Sequence, residues 1–197
     1  MKLYYHPMSP FVRKVMITAH ENGILDRIRI VPGDTSDEAL RAVNPLCKIP
    51  TLVLEDGTAL YDSRVICEYL DALGHGLLIP ANGHDRLRCR LLEALGDGIA
   101  DAVLRISYEM KRPEGERHGD VVERCLKAVR AGIREAERLV DPERFTLGEA
   151  SVAAALVYVD ARLPTEHWRI SCPALAAWFA AAGQRASVAG TAPEALA

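Results

Sequence analysis

Hydrophobic and polar positions follow two different rhythms along this chain of 197 residues. Up to about residue 75, short apolar runs of strand type are interleaved with helical patterns. Lys2–Tyr5 is rich in side chains that favour strands. From Pro10 to about Asn22, apolar residues recur at Phe11, Val15, Ile17 and Ala19, a helical pattern that Gly23 stops. Arg27–Val31 alternates charged and apolar residues, which predicts a strand with one wetter face, and Asp37–Val43 predicts a short helix. Thr51–Leu54 and Thr58–Tyr61 flank Asp56-Gly57, a hairpin-turn signal. A helix from Ser63 to about Ala72 closes the segment. The order βαβ, short helix, ββα predicts a compact α/β domain over residues 1–75.

Gly74, Gly76, Pro80 and Gly83 then mark a linker at 76–83, and beyond it no strand pattern appears. Leu87, Leu91, Leu95, Ile99, Val103 and Ile106 recur at helical spacing from about Asp85 to Met110. Val122, Cys125, Val129, Ile133, Ala136 and Val140 do the same for a second long helix. Thr146-Leu147-Gly148-Glu149 has the form of a capping box, in which Thr146 caps and Glu149 reaches back. The Ala- and Val-rich segment after it, through Asp160, carries so few charges that it predicts a helix buried in the centre of this half. Pro173–Ala182 opens a last helix with proline at a favoured first position. Residues 84–197 therefore read as an all-α helical bundle, ending in a loose tail.

Composition narrows the function classes. Apolar residues make up 49% and charged residues 26%, the balance of an ordinary soluble domain. A net charge of −3, a pI near 6.1 and the lack of a basic stripe leave no footprint for nucleic acid. No apolar stretch reaches the length of a membrane span, and Met1–Tyr5 runs straight into a strand, which predicts no secretory leader. The cysteines at 47, 67, 89, 125 and 172 are scattered, with no CxxC pair, so the pattern predicts neither disulfides nor a metal site. A reduced, cytoplasmic protein is expected.

Three short motifs carry candidate chemistry. In Met8-Ser9-Pro10-Phe11-Val12-Arg13, Ser9 sits where a strand gives way to a helix whose first turn can take Pro10. A helix N-terminus presents free N–H groups and partial positive charge, so a hydroxyl there suits either a cap or a hydrogen bond to an anion such as a thiolate. In Asn44-Pro45-Leu46-Cys47-Lys48-Ile49-Pro50-Thr51, a proline directly before a strand predicts a cis-proline corner, or an ordinary strand start. A cis corner would leave the N–H and C=O of Ile49 to pair with an extended peptide. In Tyr61-Asp62-Ser63-Arg64, Ser63 is expected to cap the next helix and to suit a ligand carboxylate, and Asp62 to accept from a ligand ammonium. Taken singly, each motif has a plainer structural reading.

Their order and spacing resemble the glutathione transferase family, in the bacterial-like form with serine at the activating position, over nearly the whole chain. The resemblance implies a thioredoxin-like α/β domain followed by an all-helical domain. It also implies glutathione as co-substrate without a metal, and a homodimer. Ser9 would contact the glutathione sulfur, and Lys48, Ile49, Pro50, Asp62 and Ser63 would bind the rest of the tripeptide. Tyr5 competes with Ser9, because several classes of the family use a tyrosine. The electrophile pocket is implied between the domains, with Tyr5, Met8, Phe11, Arg105, Tyr108 and Met110 as candidates and Trp168 as a further one. Two departures stand out: Glu149 replaces the more usual Asp of the capping box, and Gln184-Arg185-Ala186-Ser187-Val188 lacks the proline many members carry before the serine. The implied reaction is attack of the glutathione thiolate on a small hydrophobic electrophile. Open alternatives are a glutathione-dependent isomerase, dehalogenase or peroxidase, a thiol transferase using Cys47, or a non-catalytic module that binds glutathione or a protein partner.

Overall fold

The computed structural model describes residues 1–33 and 36–192. The expected loose tail falls on residues 193–197 and lies outside the described residues. The first half contains β1 (Lys2–Tyr5), α1 (Pro10–Glu21), β2 (Arg29–Pro32), α2 (Glu38–Val43), β3 (Thr51–Val53), β4 (Ala59–Leu60) and α3 (Ser63–Leu73). The strands form one mixed sheet in the order β2-β1-β3-β4. β2 runs parallel to β1, as the intervening helix requires, and β3 and β4 run antiparallel to their neighbours. β2 begins two residues later than the alternation suggested, because Leu25–Arg27 forms a turn of 3₁₀ helix. This is a thioredoxin-like α/β domain.

The second half is helical: α4 (Gly83–Met110), α5 (Gly119–Leu139), α6 (Leu147–Arg162), α7 (Trp168–Ser171), α8 (Pro173–Ala182) and α9 (Ala186–Ala189). α6 is the centre of this domain, buried on nearly every side. Its capping box is present, with Thr146 Oγ1 accepting from the Gly148 N–H and Glu149 Oε2 accepting from the Thr146 N–H at 2.9 Å. Glu149 is fully buried and also takes Arg88 Nη2 at 3.1 Å, so the cap is bolted to α4. Gly96 lets α4 lie directly against the Ser151–Val152 backbone, where a Cβ would sit 2.6 Å from a backbone carbon.

α4 departs from its apolar pattern at one end. Its buried face runs through Cys89, Leu92, Gly96, Ile99, Ala100, Val103 and Ile106. Leu87 and Leu91 point outward, 67% and 52% exposed, and Val65 of α3 is exposed as well. The first turns of α4 carry leucine on two faces, and only Leu92 of that group turns toward α6. Among the described residues no helix is long and apolar enough to cross a membrane.

Candidate active site

Ser9 occupies the junction the sequence suggested. It is the N-cap of α1, with its Oγ accepting from the Val12 N–H at 3.3 Å and its carbonyl accepting from the Arg13 N–H at 3.0 Å. The hydroxyl proton has no acceptor among the described residues, so it is free to donate to an anion at the helix terminus. His6 shapes the preceding loop: its Nδ1 accepts from the Met8 N–H at 3.2 Å, and its carbonyl accepts from the Ser9 N–H at 3.0 Å.

Tyr5 is enclosed, in contrast to Ser9. The pleat of β1 turns Leu3 and Tyr5 into the core under α1 and α3, and Tyr5 is 8% exposed. Its hydroxyl is buried without a hydrogen-bond partner among the described residues, and burial raises its pKa against the lowering field of Arg13. Tyr5 does not line the crevice that Ser9 shares with the helical domain.

The Ile49–Pro50 peptide bond is cis. Asn44 builds the loop before it, a role that sequence reasoning did not assign. The Asn44 side chain donates to the Lys48 carbonyl and to Thr51 Oγ1, and accepts from the Leu46 N–H, while fully buried itself. An Asn-Pro pair is a turn-forming signal, so the clue was in the sequence. The backbone N–H and C=O of Ile49 find no partner among the described residues, and the Lys48 side chain lies in solvent.

At the third motif the cap shifts by one residue. Asp62, not Ser63, is the N-cap of α3, and its Oδ1 accepts from the Arg64 N–H at 3.0 Å. Asp62 has the extended backbone of a cap, which brings its carboxylate to the helix N–H groups, and Ser63 becomes the first helical residue. The Ser63 side chain is buried, and its hydroxyl has no partner among the described residues. The Tyr61–Asp62 bond is also cis.

Behind this rim lies an ionic seam between the domains that the sequence did not disclose. Lys14 of α1 places Nζ 2.8 Å from Asp97 Oδ1 and 3.2 Å from Glu93 Oε1, both on α4. Asp97 also accepts from Arg64 Nε at 2.9 Å, and Glu93 from Arg90 at 2.8 Å. Burial alone would drive the Lys14 pKa down, and the Cys67 sulfur with the Asp97 and Glu93 carboxylates reverses it to a raised value. No spacing rule links a residue on α1 to residues on α4, which explains why the seam was missed.

The other candidates divide. Met8 and Ser9 share a small interdomain crevice with Pro7, Pro10, Arg13 and, from α6, Ala154, Val157, Tyr158 and Ala161. Phe11 packs against the core of the helical domain. Arg105, Tyr108 and Met110 are exposed along the end of α4, with Lys111 over the Tyr108 ring at 5.6 Å. Trp168 is instead a core residue of the helical domain, its Nε1 donating to Asp160 Oδ1 at 2.9 Å, and does not line the crevice. Tyr158 was not foreseen, since α6 reads simply as a buried apolar helix. The five cysteines are all buried and none is in a disulfide. Among the described residues no group of His, Cys, Asp and Glu can hold a metal ion.

With this geometry in view, family models for the glutathione S-transferase N-terminal domain match residues 8–73, and those for its C-terminal domain match residues 113–181. The GST-like protein YibF of Escherichia coli is 33% identical over 182 residues, covering 89% of this chain and 90% of its own. This chain belongs to the glutathione S-transferase family. A solved family member from Pseudomonas fluorescens Pf-5, with bound glutathione, superposes with a TM-score of 0.93 at 40% identity, covering 96% of this chain and 97% of its own. A second structure from that organism, with bound S-(propanoic acid)-glutathione, matches at a TM-score of 0.90 and 39% identity, covering 98% and 99%. A different kind of relative, a stringent starvation protein A homolog of Coxiella burnetii, is 40% identical over 93 residues, 47% of this chain and 44% of its own.

Proposed function

We propose that this chain is a glutathione transferase in which Ser9 holds the glutathione thiolate for attack on a small electrophile. The observation that carries the reading is the unused donor of Ser9 at the N-terminus of α1. Glutathione lies as an added extended strand along Ile49, whose N–H and C=O are open, with Pro50 setting the corner. Lys48 takes one carboxylate of the tripeptide. Ser63 and the N-terminus of α3 take the other, and the free Asp62 oxygen accepts from its ammonium. Similarity to solved relatives that bind glutathione supports this assignment.

The magnitudes are sufficient. A free thiol has a pKa of about 8.5 and is only a few per cent thiolate at neutral pH. Lowering it by about two units takes roughly 2.7 kcal/mol of differential stabilisation. A hydrogen bond to a charged group supplies about 1.5–3 kcal/mol, and a helix terminus adds about 0.3–1 kcal/mol. Ser9 makes no covalent bond in this scheme. It donates to the sulfur, and the sulfur supplies the electron pair. Thiolate absorbance titration of the complex tests it: Ser9→Ala is expected to raise the pKa of bound glutathione and leave its affinity within about threefold, since the strand contacts remain. An unchanged pKa would move the role to the backbone N–H groups of α1.

The protein acts as a cytoplasmic homodimer in this reading. Leu87 and Leu91, exposed one turn apart on α4, would suit a second copy. Light scattering on the purified protein measures that state. A second reading, a non-catalytic interaction module, draws support from the likeness of about half the chain to stringent starvation protein A homologues. Glutathione binding without turnover of any electrophile, peroxide or disulfide would favour it.

A further inference from the structure

α4 turns a row of charged residues, Glu93, Asp97, Asp101 and Arg105, toward the α/β domain at helical spacing. The lower members meet Lys14 and Arg64 directly. Asp101, one turn higher, lies in the fields of Arg105, Lys48 and Arg64, so this stretch faces the cis-proline loop. The contacts between α4 and α6 fix the height. Leu92 lies against Gly148 and Gly96 against Val152, so the two helices run side by side in the same direction. Equal steps along both bring Asp101 level with Val157 and Arg105 level with Ala161. Val157 and Ala161 share a crevice with Met8 and Ser9. Arg105 therefore stands at about the height of Ser9, on the α4 side.

The cations around the mouth of that crevice are not equally free. Arg13 is buried and donates to the Val188 carbonyl, Arg64 is engaged by Asp97, and Lys48 is taken by glutathione in the scheme above. Arg105 is exposed and forms no ion pair among the described residues, with only the field of Asp101 one turn below. A guanidinium is planar, permanently charged and matched to a carboxylate through two parallel hydrogen bonds. We infer that Arg105 makes this mouth selective for electrophiles that carry a carboxylate, holding that group while the glutathione sulfur attacks a carbon a few bonds away. The inference rests on the glutathione transferase reading. With an α,β-unsaturated acid, a sulfur–carbon bond forms at the β-carbon and the π electron pair of the double bond shifts toward the α-carbon. That carbon takes up the proton the thiol released, and no atom leaves.

Calorimetric binding of two conjugates of matched length, S-carboxyethyl-glutathione and S-propyl-glutathione, tests the assignment without requiring turnover. The intact protein is expected to bind the acid about fivefold more tightly than the uncharged conjugate at low ionic strength, with the preference shrinking as salt is added. Arg105→Ala is expected to bring that ratio to about one, and Arg105→Lys to keep part of it. A ratio near one in the intact protein, or one unchanged by Arg105→Ala, overturns the inference. So does an equal loss for glutathione and both conjugates in Arg105→Ala, which would mean that Arg105 holds a carboxylate of glutathione itself. Failure of the intact protein to bind glutathione at all would overturn the transferase reading as well. Glutathione binding without an acid preference sinks the Arg105 role alone.

Discussion

Two neighbouring stretches of one helix face treat charge in opposite ways. On the lower turns of α4, Glu93 and Asp97 are buried and fully engaged, above all by Lys14, which is 1% exposed. On the upper turns, Asp101 and Arg105 are exposed and make no ion pair among the described residues. The lower stretch is a closure: charges removed from water must be matched, and the match holds α1 against α4. The upper stretch is open, and its charges stay hydrated. The difference separates residues that hold the two domains together from residues whose charges remain in water, although both sets lie on the same row.

The sharpest way to break the comparison is Lys14→Met. It leaves two buried carboxylates facing an apolar side chain, and a loss of about 3–5 kcal/mol in denaturant unfolding is expected. A loss under 1 kcal/mol would mean that water reaches the seam and that the two stretches are not different in kind. Gly96→Ala tests the helix contact that sets the height of the row. Its Cβ would meet the Ser151 backbone, which cannot swing aside, so about 1–3 kcal/mol is expected to be lost.

Asp101→Asn gives the smallest effect and the opposite sign. Partial desolvation beside the α/β domain first, and the Asp97 carboxylate second, raise the pKa of Asp101, exposed though its side chain remains. A carboxyl with a raised folded pKa stabilises the fold while protonated and loses that contribution as pH rises through the folded value. The amide is therefore expected to raise stability slightly at neutral pH, within about 0.5 kcal/mol once solvent screening is counted. The gain should vanish below about pH 3.9, where the wild-type side chain is protonated in both states. Thermal unfolding of the two proteins across that range measures it. A destabilised variant at neutral pH would show that Asp101 is paired after all, as its lower neighbours are.

Much of the fold was written in local signals. Ser9 with Pro10 announces the start of α1, Thr146 with Glu149 announces α6, and Asp56-Gly57 announces the hairpin, because caps and turns are satisfied within a few residues of themselves. The candidate site was legible to the same extent: the Ser9 cap, the loop before Pro50 and the Asp62-Ser63 pair were each visible as short motifs. Within the third, the choice of cap passed from Ser63 to Asp62, since local backbone geometry, not residue type, decides which oxygen reaches the helix N–H.

What the sequence by itself determined were these elements, their order, and the chemistry available at their ends. The tertiary structure alone decided which way each face turned. It sent Tyr5 into the core and Leu87 and Leu91 to the surface, although both patterns admit the reverse. It also joined Lys14 to Asp97 across 83 residues of chain and left Arg105, two turns above Asp97, open at the height of Ser9. Such pairings depend on how two helices pack, and packing is settled by the sum of many apolar contacts along α1, α4 and α6, none of which has a signature at a fixed spacing.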